Sequence, residues 1–338
     1  MQAIRLYPAP PKSKPYTPSN PAPSSALQLD HNAPIPVLSA PGELLIRVKA
    51  TTVIRDMLTW PETYAHEYAI IGNDVAGIVM EVFSSASRFK PGDEVFGMAN
   101  ADRSATWAEY TIVKEDEIVK KLATLTFAQA ASLPLSAQTA YEALFEQARI
   151  PRPAVKEILS QSVTGKDQCV LITGAAGAVG VYLVQLAAAA GVRVVAASSS
   201  DARNREFLQG LGADEVVEYS MLDRYRGKFD VIIDAVGGQV LAKCWDYVTE
   251  TGALISVDSG SFNFVEEHEK RGLRKARVHA LFFIVKGSLD ALRYIAELAN
   301  AGVVQPFVAG VYPLTRAREA YDLANGRFSA RGKVILAI

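Results

Sequence analysis

The stretch LITGAAGAVGVYLVQLAAAAG, residues 171–191, begins as an apolar strand, turns on small residues and runs directly into an Ala-rich helix. A turn this tight leaves the first N–H groups of the helix converging at the positive end of its dipole, where an anion is stabilised. The turn reads Gly174-Ala175-Ala176-Gly177-Ala178-Val179-Gly180, which fits the dinucleotide fingerprint with Ala175 in place of its first glycine. Gly177 would let backbone amides approach a pyrophosphate closely, and Gly180 would let the helix pack against the sheet. Ala175, Gly177, Ala178, Val179 and Gly180 are therefore the first cofactor-binding candidates. Small residues here would also serve tight packing alone. The strand before the turn and the helix after it favour the nucleotide.

Outward from this turn, strands and helices alternate. RVVAAS, a helix through Phe207 and Leu211, EVVEY, FDVIIDAVGG, a helix around LAKCWDYVTE, ALISVDS and the apolar strand RVHALFFIV follow in order. Alternation of this kind predicts an α/β unit with a doubly wound parallel sheet, the Rossmann type. The second strand ends VVAASSS, so Ser198 stands where an NAD-selective site carries an acid for the ribose hydroxyl. Ser199 follows, and Arg203 and Arg205 lie just beyond to pair with a 2′-phosphate. A solvated helix face accounts for the arginines equally well, but missing acid and added base together favour NADPH over NADH. Tyr219, ending the third strand, either stacks near the adenine or is a partly buried edge tyrosine.

The N-terminal third reads differently. Ten of the 17 prolines fall between Pro8 and Pro41, the composition of an exposed, weakly structured excursion. GELLIRVKATTV, NDVAGIVMEVF, DEVFGMA and WAEYTIV then give short strands separated by turn signals, which suggests a barrel-like β domain. The C-terminal tail holds the helix SLDALRYIAELANAG, a second at LTRAREAYDLANG and a closing strand KVILAI. Residues 1–125, with the Pro-rich segment 8–41, thus form one domain, 126–286 the dinucleotide-binding domain, and 287–338 a return to the first. The 35 basic and 36 acidic residues nearly cancel, so no global field draws in nucleic acid or an anionic membrane. Two cysteines and no secretory-type N-terminus or long apolar run point to a soluble, cytoplasmic protein.

At this point the chain resembles the medium-chain dehydrogenase/reductase superfamily, in its zinc-free quinone oxidoreductase and enoyl reductase branch. IGNDVAGIVMEV is similar to the segment leading into the barrel core, RFKPGDEVFG to its turn, WAEYTIV to the strand that follows, and ASLPLSAQTAYEAL to the helix entering the nucleotide domain. FDVIIDAVGG and RGKVIL resemble the fourth and terminal strands. The resemblance implies a GroES-like barrel built from both chain ends, with the active site in a cleft beside the nucleotide domain. It also implies that Thr139 lies near the nicotinamide ribose, and that Phe283 and Val285 pass beside the carboxamide through backbone contacts. Pairing of two copies through the RVHALFFIV edge would follow the family habit.

The departures from that family shape the chemistry. Two cysteines cannot supply the four-Cys lobe of a structural zinc site, and Asn73-Asp74 stands where zinc-dependent relatives carry a His-Glu pair. Catalytic zinc is therefore not expected. Without a Lewis acid, hydride addition to an isolated ketone leaves its alkoxide unstabilised, whereas a conjugated double bond or a quinone carries its own electron sink. The sequence thus points to an NADPH-dependent reductase of a small hydrophobic enone, enoyl compound or quinone. Asp56 could orient a ribose hydroxyl or water, and Tyr64 could donate the proton. A strand-end cap and a barrel-packing aromatic are the alternatives for these two residues. A non-redox cyclisation or isomerisation, and a binding protein reading NADPH occupancy, are the other function classes open to this fold.

Overall fold

The computed structural model describes every residue except 104, 164–166 and 327–329. In chain order the strands and helices are β1 (Ala3–Leu6), β2 (Leu27–Asp30), β3 (Glu43–Val53), β4 (Asp74–Val82), β5 (Glu94–Met98), β6 (Tyr110–Lys114), β7 (Ile118–Lys120), α1 (Phe127–Ser132) and α2 (Pro134–Tyr141). They continue as α3 (Val155–Leu159), β8 (Cys169–Ile172), α4 (Gly180–Ala189), β9 (Arg193–Ser198), α5 (Asp201–Gly210), β10 (Glu215–Glu218), β11 (Phe229–Asp234), α6 (Gly238–Tyr247), β12 (Val248–Ser256), α7 (Phe264–Lys270) and β13 (His279–Phe282). The chain closes with α8 (Leu289–Asn300), β14 (Val308–Pro313), α9 (Ala317–Asn325) and β15 (Lys333–Ala337). It divides into two compact units. One comprises Met1–Leu135, Lys286–Ala296 and Pro306–Ile338, the other Ser136–Val285 and Glu297–Gln305.

The second unit is built on six parallel strands in the order β10-β9-β8-β11-β12-β13. Their apolar runs are buried on both faces, as a sheet covered by helices requires: Leu171, Val195, Ile232 and Leu254 meet in one core. α4 is apolar almost all round and buried from Gly180 to Ala187, so its burial, rather than amphipathic patterning, holds it on the sheet. The strand order reverses direction between β8 and β11, the switch point where ligands bind beyond the strand ends.

The first unit carries a seven-stranded sheet ordered β14-β15-β3-β4-β5-β7, with β6 also on β3. Both chain ends enter it, because β15 pairs antiparallel with β3, Val334 opposite Val53. Leu44, Ile46 and Val48 of β3 fill the core with Val75, Val79 and Val95. The Pro-rich segment departs from its expected looseness. Leu27–Asp30 forms β2 against β1, and Ala22, Ala26 and Leu27 are buried beside Ile4 and Trp107. Proline density signals the loss of ladder donors, but the ALQLD stretch has no proline and keeps every N–H. The last expected strand of the second unit is also shorter than its apolar run. β13 stops at Phe282, and Ile284 is exposed.

Candidate cofactor site

β8 delivers the chain into the glycine turn at the switch point. Gly174 has φ of 64°, a left-handed value that favours glycine. Its amide donates to the Tyr219 hydroxyl at 2.9 Å, and the Ala175 amide donates to the Ala197 carbonyl at 3.2 Å. The turn is thus pinned to β9 and to the end of β10. A Cβ on Gly180 would lie 2.2 Å from the Gly174 carbonyl oxygen and 2.7 Å from Ala175 backbone atoms, so glycine is required for α4 to seat against the turn. A Cβ on Gly177 would meet only the Gly174 oxygen, at 3.0 Å, which leaves its outer side open to an approaching group. The amides of Ala178, Val179 and Gly180 find no acceptor among the described residues. Open backbone, converging donors and a positive helix end suit a pyrophosphate.

Across the switch point, the loop after β11 comes within 3.2 Å of where a Gly174 Cβ would stand. Asp234, fully buried at the end of β11, organises that loop. It accepts from the Thr173 hydroxyl at 2.6 Å, the Gly237 amide at 2.9 Å and the Ser256 hydroxyl at 3.2 Å. Burial pushes its carboxyl above the usual range while those three donors oppose the shift.

Ser198 is buried at the end of β9 and donates to the Ser200 carbonyl at 3.1 Å, while Ser199 is exposed. Arg203 and Arg205 lie on α5. Arg205 is engaged by Asp201 one turn back, with Nε 3.0 Å from Oδ2. Tyr219 is spent on the glycine turn through its hydroxyl, and burial pushes its pKa up to about 12. Thr139 is buried on α2. The Phe283 amide donates to the Ser256 carbonyl at 3.4 Å, and Val285 follows three residues beyond the end of β13.

In the first unit, Asp56 takes a left-handed φ of 58° and starts a short 3-10 turn. Its carbonyl accepts from the Thr59 hydroxyl at 2.7 Å, and its amide donates to Asn325 at 2.9 Å. Tyr64 serves the fold in the same way. Its hydroxyl donates to the Leu58 carbonyl and accepts from the Ala22 amide at 2.9 Å, and burial raises its pKa. The structure does not bring Tyr64 and Asp56 into one hydrogen-bonded pair. Asp74 and Lys333 form a buried ion pair with Nζ 3.1 Å from Oδ2. The same carboxylate accepts from the Thr52 hydroxyl at 2.5 Å and the Leu135 amide at 2.7 Å. Among the described residues, no three His, Cys, Asp or Glu side chains come together as a metal site, and no helix is long and apolar enough to cross a membrane.

Known proteins match this arrangement over nearly the whole chain. Residues 40–123 match the alcohol dehydrogenase GroES-like domain family, and residues 211–336 the family described as zinc-binding dehydrogenase. A "probable zinc-binding oxidoreductase, mitochondrial" of Arthroderma benhamiae is 35% identical over 88% of each chain. The human "NAD(P)H oxidoreductase RTN4IP1, mitochondrial" is 30% identical over 93% of this chain and 86% of its own. The solved quinone oxidoreductase of Coxiella burnetii superposes with a TM-score of 0.82 at 27% identity, covering 100% of this chain and 99% of that one. The chain belongs to the medium-chain dehydrogenase/reductase superfamily.

Within the superfamily it is an NAD(P)H oxidoreductase of the quinone oxidoreductase-like branch. Two polar contacts of the chain escape a linear reading. Lys333 reaches Asp74 from the far end of the chain, 259 residues away, and no local pattern announces the pair. Glu218 makes the other, and nothing in the stretch EVVEY marks it out. Its Oε1 accepts the Asp201 amide at 2.9 Å, placing a carboxylate at the start of α5.

Proposed function

We propose that the protein is an NADPH-dependent, zinc-independent reductase that moves hydride onto an activated carbon–carbon double bond or a quinone of a small hydrophobic molecule. The observation that carries the metal-independent part is the state of Asp74. Its carboxylate lies against the Lys333 ammonium at 3.1 Å, with both side chains almost wholly buried. A dication beside that ammonium would meet strong repulsion in a poorly solvated place, and Asn73 next to it is a poor zinc ligand. The residues present therefore do not fit the zinc that the names of the family and of one relative suggest.

When bound, NADPH supplies the hydride. The chain's own residues position it and leave the substrate to absorb the charge. The amides of Ala178, Val179 and Gly180 hold the pyrophosphate, and Ser198 with Arg203 favours the 2′-phosphate over an unsubstituted ribose. With the Tyr64 proton engaged by Leu58, the enolate or hydroquinone anion takes its proton from water. A conjugated acceptor spreads the new charge without a Lewis acid, which an isolated ketone cannot do. The two thiols are unpaired, which suits a reducing compartment such as the cytoplasm. β13, an outer strand of its sheet, would carry the pairing of two copies.

The test is turnover by chelator-treated protein with NADPH against an enone, a quinone and a saturated ketone of similar size. We expect reduction of the enone or the quinone and not the ketone. Turnover of the ketone alone, or activity restored only by zinc, would overturn the mechanism.

A further inference from the structure

We propose that Glu218 sets the balance between NADPH and NADH, holding the preference for NADPH below what Ser198 and Arg203 alone would give. This rests on the NADPH reading above. β10 lies beside β9 in parallel register, and Glu218 stands opposite Ser198, the position at which an NAD-selective site carries its ribose-binding acid. Adjacent strands are about 4.8 Å apart, so the acid missing from the end of β9 is replaced by one on the neighbouring strand.

Its placement is not incidental to the helix that follows. Ser200, the residue preceding α5, makes no side-chain cap bond. Glu218 supplies the acceptor instead, taking the Asp201 amide at 2.9 Å. The positive end of α5 is thereby compensated by a carboxylate before any ligand arrives. Asp201 adds a second carboxylate at the same place. Its Oδ2 holds Arg205, and its Oδ1 is buried without a hydrogen-bond partner. A 2′-phosphate arriving at the end of β9 therefore meets the Glu218 charge, while Asp201 and Arg205 offset each other. NADH carries no phosphate there and is not repelled in the same way.

Glu218→Gln tests this directly, because the amide oxygen still accepts from Asp201 while the charge is gone. Dissociation constants for NADPH and NADH are measured by calorimetry on the native protein, on Glu218→Gln and on Glu206→Gln. Glu206 is exposed on α5, so its variant makes the same change in net charge away from the cap. We expect Glu218→Gln to bind NADPH about fivefold to tenfold more tightly at low salt, with the gain shrinking in about 0.5 M salt as screening takes over. NADH should change by less than about twofold, and Glu206→Gln should change neither nucleotide by more than about twofold. No gain, an equal gain for NADH, or the same gain in Glu206→Gln overturns the assignment. A native protein that prefers NADH, yet shifts toward NADPH in Glu218→Gln, overturns the cofactor reading and supports this assignment. Binding of neither nucleotide overturns both.

Discussion

Lys333→Met should destabilise the first unit sharply, because it strands a buried carboxylate. Lys333 and Asp74 have side chains 3% and 0% exposed, and their charged atoms are 3.1 Å apart. At an effective dielectric of about 20, a contact of this length corresponds to roughly 5 kcal/mol of attraction, and breaking a buried pair from one side typically costs about 3–5 kcal/mol. The Thr52 hydroxyl and Leu135 amide still donate to Asp74, so the low end of that range is expected, about 3 kcal/mol. In thermal melts this is roughly 6–12 °C for a unit of this size. The double variant Lys333→Met with Asp74→Asn should recover a substantial part of the loss, because the uncompensated charge is removed with its partner. Melting followed by circular dichroism for the native protein, both single variants and the double variant reads the coupling. A Lys333→Met protein melting within about 1 °C of native, or a double variant no more stable than it, refutes the reasoning.

Other consequences follow from the same contacts. Gly180→Ala should lose both cofactor affinity and about 1–3 kcal/mol of stability, since its Cβ would press on Gly174 and Ala175 backbone atoms at 2.2 and 2.7 Å. Gly177→Val should lose affinity while keeping its circular dichroism spectrum, because it fills the open side of the turn; unchanged NADPH titration would make that turn a packing device only. Tyr64→Phe should cost about 1–2 kcal/mol by leaving the Ala22 amide and Leu58 carbonyl unpaired, with turnover nearly unchanged. A large fall in turnover at native stability would instead make Tyr64 the proton donor. His268 accepts from Trp245 Nε1 at 2.9 Å through Nδ1, and burial, with Arg271, holds its pKa below the usual histidine value. Its stabilising contribution is therefore full above the unfolded pKa of about 6.5 and is lost as pH falls below it toward the lowered folded value. Urea midpoints from pH 8 to 5 should fall, and fall less in His268→Gln.

The turn from Leu171 to Gly191 was legible because its information is local. Apolar residues at strand spacing, glycines where a Cβ would collide and an Ala-rich helix specify the backbone within a few residues. The alternation after it, and the entry of both chain ends into one β unit, followed from the same periodicities and from the family likeness. What could not be read were the partners of individual charges and hydroxyls. Ser198 was legible as a missing acid, but Glu218 returns a carboxylate from the neighbouring strand through the register of β9 and β10. The hydrogen bonds of the Tyr64 hydroxyl to Leu58 and Ala22 are not written in its neighbourhood along the chain, and Asp74 found Lys333 only when β15 closed against β3. Periodicity follows from the sterics of adjacent residues, so it is written along the chain. The partner of a buried polar group is whichever atom the packed strands bring within about 3 Å, and that is decided only by tertiary structure.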